Sequence, residues 1–224
     1  MDIPEGVDIV HEDGAMLVLN KPAGLLSVPG RGPDNADCLS ARVQALYPDA
    51  LVVHRLDMGT SGLLVMARGL AAQRALSTSF AQREVHKRYV AVVAGHLDPD
   101  GLDADTWRTI DLPLIVDWPN RPRSKIDVDI GKSSVTRWRP TAPPAGSATW
   151  PWPTTRLELE PVTGRSHQLR VHLQALGHPI LGDELYAPPA VIAVSPRLLL
   201  HAAWLSLPHP VTGATVEVSL PPAF

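Results

Sequence analysis

Apolar positions in this chain fall mostly into short runs or period-two alternations, and only a few stretches keep a helical period. Val7 to His11 and Met16 to Asn20 read as two strands joined by the turn residues Glu12-Asp13-Gly14. Lys21 to Gly30 is too rich in proline and glycine for a helix and reads as an extended loop leading to Arg31-Gly32-Pro33. Asp37 is placed to cap a short helix with Leu39, Val43 and Leu46 on one face, ended by Pro48. Leu51-Val52-Val53 then leads into His54-Arg55-Leu56-Asp57-Met58-Gly59-Thr60-Ser61-Gly62, followed by the apolar run Leu63 to Ala67. Leu70 to Arg83, with Leu76 and Phe80 on a helical period, predicts the best helix of the first half.

The second half is richer in strands. Lys87 to Gly95 is β-branched, and residues 125–130 alternate strictly, which predicts a half-exposed strand. Gly131-Lys132 turns that strand back into Ser134 to Trp138. Residues 140–153 hold five prolines and form a loop rather than a domain linker, because strand signals resume at Arg156 to Glu160. In the stretch 161–179, Ser166 is a plausible N-cap, Leu169, Leu173 and Leu176 share a helical face, and Gly177 with Pro179 stops the helix. His201 to Leu207 and Thr215 to Leu220 are the last strands. Many strands joined by turns, with few helices, predict an α+β fold with a mixed, largely antiparallel central sheet flanked by helices and loops. No internal repeat is visible, so residues 1–224 are expected to form a single domain.

Composition adds bounds. At 224 residues and 45% hydrophobic content the chain can bury a substantial core, and its longest apolar runs are far shorter than a membrane span requires. Residues 1–20 hold no basic residue before Lys21, which argues against a signal or transit peptide. Cys38 is the single cysteine, so no internal disulfide can form. The cytoplasm is the expected compartment, and a monomer the default state.

The net charge of −3 hides a segregation. Residues 1–20 carry five acids and no base, and residues 98–117 carry six acids and one base; the remainder holds 19 basic against 12 acidic residues. The basic side chains are densest between Arg121 and Arg139, with Arg121, Arg123 and Lys125 leading. Such a stretch is either a solvated hairpin face or a surface for a polyanion.

Two positions carry candidate chemistry. Asp57, on a short loop between strand-like runs, is either a turn aspartate capping Gly59-Thr60 or a positioned acid. Arg165, just before a helix N-terminus, is either an exposed loop arginine or a guanidinium presented to a carboxylate or phosphate. His167 and His172 stand about 140° apart on a helix and cannot share a metal ion as an i, i+4 pair does. There is no Cys-x-x-Cys, no Gly-x-Gly-x-x-Gly, no Gly-x-x-x-x-Gly-Lys-Ser/Thr and no Gly-x-Ser-x-Gly, so neither metal nor cofactor is expected.

His54-Arg55-Leu56-Asp57 with the Gly-x-Ser-Gly after it resembles the active-site motif of the RluA-type pseudouridine synthases. Lys21-Pro22-Ala23-Gly24 resembles the family's early Lys-Pro-x-Gly loop, and Lys87-Arg88-Tyr89-Val90-Ala91 its Lys-x-Tyr strand. Gly164-Arg165-Ser166-His167-Gln168-Leu169-Arg170-Val171-His172 resembles its arginine motif, and Gly177 to Asp183 the segment that follows. Residues 111–122 are similar to the RluA branch, whose members act on large-subunit ribosomal RNA and the anticodon stem-loop of some tRNAs. The S4-type RNA-binding domain of many relatives is not expected in this chain.

The resemblance implies isomerisation of uridine to pseudouridine in structured RNA lying in a cleft across the sheet, without cofactor or metal. Asp57 is implied as the nucleophile, whether through addition to the base or a glycal at the sugar. Arg165 is implied to pair with it. Tyr89 is implied to sit against the base and is a candidate for taking the C5 proton, although a phenol is a weak base near neutral pH. Arg55, two residues before Asp57 on one strand face, is implied to fill the gap left by a flipped base. Arg121, Arg123 and Lys125 become candidates for phosphate contact. No membrane or protein partner is indicated. A catalytically dead RNA-binding module, and a hydrolase using an acid pair such as Asp57 with Asp183, are the other classes.

Overall fold

The computed structural model describes residues 7–30, 32, 35–97, 106–142 and 150–224. Arg31, Pro33, residues 98–105 of the acidic stretch and residues 143–149 of the proline-rich loop lie outside the described residues. The chain divides into two compact units, residues 1–87 with 201–222 and residues 88–200 with 223–224.

In the first unit β1 (Ile9–Glu12), β2 (Met16–Lys21), β4 (Ser61–Arg68) and β11 (Leu200–Pro208) are neighbours in that order. β3 (Ala50–Val52) pairs with the far end of β4, and β12 (Thr215–Ser219) pairs with β11. All these pairings are antiparallel except β4 with β11, where Ser61 and Gly62 face His201 and Ala202 in parallel. Met16 to Leu19 and Val65 to Ala67 are entirely inaccessible, which explains why these runs are continuously apolar rather than alternating: both faces of the strands are covered. Helix α2 (Gly69–Gln82) buries Ala72 and Leu76 against this layer, as its period predicts.

Gly62 has φ of +106°, and a side chain there would run into the backbone carbonyl of Ala202. The glycine serves the close approach of two parallel strands. The β1–β2 turn is closed by Asp13, whose carboxylate accepts from the N–H groups of Ala15 (2.7 Å) and Met16 (2.9 Å).

The short helix α1 (Leu39–Leu46) forms as expected, but its cap differs. Asp37 pairs with Arg42 at 2.7 and 2.8 Å, and the cap is the buried thiol of Cys38, whose Sγ accepts from the Ala41 N–H at 3.4 Å. A bidentate carboxylate–guanidinium pair outcompetes the cap role for Asp37.

In the second unit β5 (His86–Ala94), β10 (Thr154–Pro161), β9 (Val135–Thr141) and β6 (Arg108–Asp111) run antiparallel in that order; the first two residues of β5 belong to the first unit. Leu157 and Leu159 are fully buried and alternate with Arg156 and Glu158, the period-two signature of a strand with one wet face. Helix α3 (Gln168–Ala175) packs on β9 and β10 through Leu169 and Leu173. Leu176, placed by its period on the same face, is 37% exposed beyond the helix end.

A small hairpin pairs β7 (Leu114–Val116) with β8 (Ser124–Ile126). The predicted strand 125–130 stops at Ile126. The Asp127 carboxylate accepts from the N–H groups of Asp129 and Ile130 and closes a turn, leaving Val128 and Ile130 78% and 69% exposed. Alternation alone could not distinguish that turn from a strand.

Candidate active site

Asp57 lies in the first unit on an extended segment, residues 53–57, that leaves β3 but belongs to no strand. Arg55 therefore does not share a strand face with Asp57. The alternation of exposure persists, with Arg55 exposed, Leu56 buried and Asp57 half-buried. A single hydroxyl replaces the missing ladder: Ser27 Oγ donates to the Leu56 carbonyl at 2.7 Å and accepts from its N–H at 3.1 Å. Both backbone groups of the buried residue are thereby satisfied. The turn Asp57-Met58-Gly59-Thr60 is closed by the Thr60 N–H donating to the Asp57 carbonyl at 3.1 Å.

Beneath this turn sits Lys21, with 0% of its surface accessible. Its Nζ donates to the carbonyls of Pro22 (2.8 Å), Leu25 (2.8 Å) and Met58 (3.0 Å). The Gly24 N–H donates to the same Met58 carbonyl at 2.9 Å. The proline- and glycine-rich loop is thus wound around a buried ammonium and fastened to the residue after Asp57. A buried charge is tolerated only when its hydrogen-bonding capacity is met, and three carbonyls meet it.

His54 anchors the other end of the segment. Its Nε2 accepts from the Val65 N–H at 2.9 Å, so the ring proton resides on Nδ1. The ring stacks on Phe80 with centroids 4.5 Å apart. Burial, and then the nearby Lys87 charge, push its pKa down to about 3, so the imidazole is neutral. Lys87 Nζ stands 5.9 Å from the Phe80 ring, and burial pushes its own pKa down.

In the second unit Tyr89 sits on β5 opposite Leu159 of β10, half-buried and packed against the core. Arg165 is exposed in the turn before α3, as its spacing predicts, but Ser166 is not the cap. The N-cap is His167, in the left-handed region at φ +56° and without a side-chain capping bond. Gln168 holds the turn instead. Its Oε1 accepts from the Arg165 N–H (3.0 Å) and Thr163 Oγ1 (2.7 Å), and its Nε2 donates to the Val135 carbonyl and to Thr136 Oγ1, both at 3.0 Å.

The network continues inward. His172 Nε2 donates to the Leu112 carbonyl (3.0 Å), which leaves Nδ1 to accept from Thr136 Oγ1 (2.9 Å). Its pKa is pushed down by burial, opposed in part by the Leu112 bond and the Asp111 charge. Arg165 Nε reaches the Ser133 carbonyl at 3.4 Å. Gln168 and His172 thus fix the backbone that carries Arg165.

Asp183 is 1% exposed and accepts from Arg170 Nε (2.8 Å) and an Arg170 terminal nitrogen (2.6 Å), as well as from the N–H groups of Leu185 and Tyr186. Its acceptor sites are occupied inside the protein, which removes it as the second acid of a hydrolase. The Tyr186 hydroxyl accepts from the Ser124 N–H (2.7 Å) and lies 2.7 Å from His167 Nδ1, tying β8 to the Arg165 turn.

The basic stretch 121–139 separates into two parts. Arg137 and Arg139 face Glu160 and Glu158 across β9 and β10, with N–O distances of 3.6 and 2.6 Å, so their charge is answered within the sheet. Trp138 is 6% exposed and belongs to the core. Arg121, Arg123 and Lys125 stay exposed on the β7–β8 hairpin, where Lys125 Nζ lies 3.7 Å from Asp127. Among the described residues no three His, Cys, Asp or Glu side chains are grouped to hold a metal ion.

Sequence reasoning missed Ser27, Lys21, Gln168 and Tyr186 as supports. The signal for Lys21 was its place at the end of an apolar strand immediately before Pro-x-Gly, where an exposed lysine has no reason to close a buried run.

Comparison with known proteins places residues 15–175 in the family model described as RNA pseudouridylate synthase. The chain is 49% identical to the dual-specificity RNA pseudouridine synthase RluA of Pasteurella multocida over 218 residues, covering 97% of this chain and 94% of that protein. It is 48% identical to RluA of Escherichia coli K12 over 217 residues, covering 96% and 93%. Among solved structures, human RNA pseudouridylate synthase domain containing 1 matches with a TM-score of 0.79 at 29% identity, covering 98% of this chain and 85% of that one. Human RNA pseudouridylate synthase domain containing 4 shares the fold, with a TM-score of 0.72 at 23% identity.

Proposed function

The chain belongs to the RNA pseudouridylate synthase family, and from that premise we propose that it isomerises uridine to pseudouridine in structured RNA with Asp57 as the nucleophile. The observation that carries the assignment of Asp57 is the care with which its turn is held. A buried ammonium fastens the residue after it, and a buried hydroxyl clamps the residue before it.

The reaction breaks the N1–C1′ bond of uridine and joins C1′ to C5; C5 loses a proton and N1 regains one, so the product is an isomer. Asp57 attacks the base or assists glycal formation at the sugar, Tyr89 packs against the uracil, and Arg165 pairs with Asp57 and holds it aimed. Arg55, exposed on the same extended segment, fills the stack after the target base has flipped. Arg121, Arg123 and Lys125 contact phosphates. The roles of Asp57, Tyr89, Arg165 and Arg55 rest on the motif resemblance, and these residues fall within the matched span 15–175; those of Arg121, Arg123 and Lys125 rest on charge and exposure.

The relatives named dual-specificity support ribosomal RNA and tRNA as substrates of this chain as well. Residues 1–224 act as one catalytic domain, as a monomer in the cytoplasm. Among the described residues no helix is long and apolar enough to cross a membrane.

The test is the Asp57→Asn protein, with Asp57→Ala beside it. Both are expected to bind an unmodified anticodon stem-loop transcript and fold normally, yet form no pseudouridine when the digested RNA is analysed by chromatography. Substantial product from either variant rejects Asp57 as the nucleophile, and release of free uracil by the native protein points to a hydrolase.

A further inference from the structure

Of the six tryptophans, Trp118 is the one exposed to solvent, at 65%; the other five are buried or half-buried. An exposed indole is unusual when a chain has a core available for it. Trp118 sits at the tip of the β7–β8 hairpin, in the turn that joins the two strands. That turn is built rather than loose. The Asp117 N–H donates to the Arg123 carbonyl (2.9 Å), the Asn120 N–H to the Asp117 carbonyl (3.0 Å) and the Arg123 N–H to the Asn120 carbonyl (3.1 Å). The Asn120 side-chain amide donates to the Asp117 carboxylate at 2.9 Å, occupying the nearest acid.

Charge on the turn is net positive, with Arg121 and Arg123 against Asp117. The Arg121 guanidinium lies over the indole with its central carbon 4.2 Å from the ring centroid. Neither Arg121 nor Arg123 has a carboxylate partner among the described residues, in contrast to Arg137 and Arg139 on the sheet. A guanidinium on one face of an indole leaves the other face for a second flat group. With two unanswered arginines beside it, the flat group that fits is a nucleobase whose phosphates are within reach.

We infer that Trp118, backed by Arg121, is a stacking platform for an unpaired base of the substrate RNA, separate from the base that is isomerised. This rests on the proposed RNA-modifying activity. The platform costs little ordering entropy on binding, because the turn is already set by its own hydrogen bonds.

The experiment uses Trp118→Ala and Trp118→Phe in an Asp57→Asn background, with a labelled, unmodified anticodon stem-loop transcript as probe. Trp118→Ala is expected to weaken binding about tenfold, since one base–aromatic stack is worth on the order of a factor of ten or more. Trp118→Phe is expected to restore most of that loss while removing the tryptophan-fluorescence quench that stacking on Trp118 is expected to produce when RNA is added. In the catalytically intact background, the single-turnover rate at saturating RNA is expected to change by less than about twofold, as for a group that contributes binding alone. Equal binding by native and Trp118→Ala proteins, or equal loss in the Ala and Phe variants, overturns the platform. Activity retained by Asp57→Asn overturns the catalytic assignment instead, so the two failures are distinguishable.

Discussion

The Nζ of Lys21 donates to the carbonyl of Met58 at 3.0 Å, so an inaccessible ammonium is fastened to the residue that follows Asp57. Replacement by methionine keeps the stem but strands the carbonyls of Pro22 and Leu25 and leaves the Met58 carbonyl to the Gly24 N–H alone. Lys21→Met is expected to cost about 2 to 4 kcal/mol of stability, read by urea denaturation, because buried acceptors lose their donor. At temperatures where the variant remains folded, its turnover is expected to fall more than its RNA affinity. Unchanged turnover would show that the turn does not depend on the ammonium.

Arg165 is exposed, while its backbone is held by Gln168, so truncating its side chain should leave the fold intact. Arg165→Ala is expected to lower the single-turnover rate by about a hundredfold, the scale for losing a charged partner of the reacting group. Arg165→Lys should recover little, because a point charge does not reproduce the guanidinium fork. Full activity in the alanine variant removes the proposed pairing with Asp57.

His54 gives the protein a pH dependence of definite sign. In the unfolded chain it binds a proton below its ordinary value near 6.5, while in the fold it stays neutral down to about 3. The unfolded state therefore holds more protons between those limits, and stability is lost as pH falls through them, by at most about 1.4 kcal/mol per pH unit from this group. Denaturation midpoints measured from pH 7 to pH 4 should fall less steeply in His54→Gln, and an unchanged slope would contradict the neutral, Val65-bonded imidazole.

Asp183 offers a test that separates support from chemistry. Asp183→Asn leaves Arg170 buried without its counter-charge, and a loss of about 3 to 5 kcal/mol is expected. An Arg170→Met, Asp183→Leu double variant should regain part of that loss, as measured by urea denaturation. A single variant that keeps native stability but loses activity would instead make Asp183 a reacting acid.

Much of this was legible in the residues. Continuous apolar runs at Met16 to Leu19 and Val65 to Ala67, and the Leu157–Leu159 alternation, gave strands where strands are found. What failed was competition between partners. Asp37 and Ser166 have the chemistry of caps, yet Arg42 takes the first and Gln168 organises the turn of the second. The basic stretch looked stronger than it is, because the pairing of Arg137 with Glu160 and Arg139 with Glu158 needs the strand register. Within the site, Asp57 and Arg165 stood out by motif. Lys21 did not stand out as a support, since nothing local shows that three carbonyls will surround it.

The buried thiol of Cys38 has a consequence for following the region that holds Asp57. Its sulfur caps α1, whose first N–H groups donate from Leu39 and Ser40 to the carbonyls of Leu26 and Ser27. Ser27 in turn clamps Leu56. A thiol reagent can reach the sulfur only when this corner parts, so the rate of labelling at the lone cysteine is a native stopwatch for local opening beside the turn that holds Asp57. Adding RNA should slow that stopwatch if the substrate steadies the turn, without a single engineered probe.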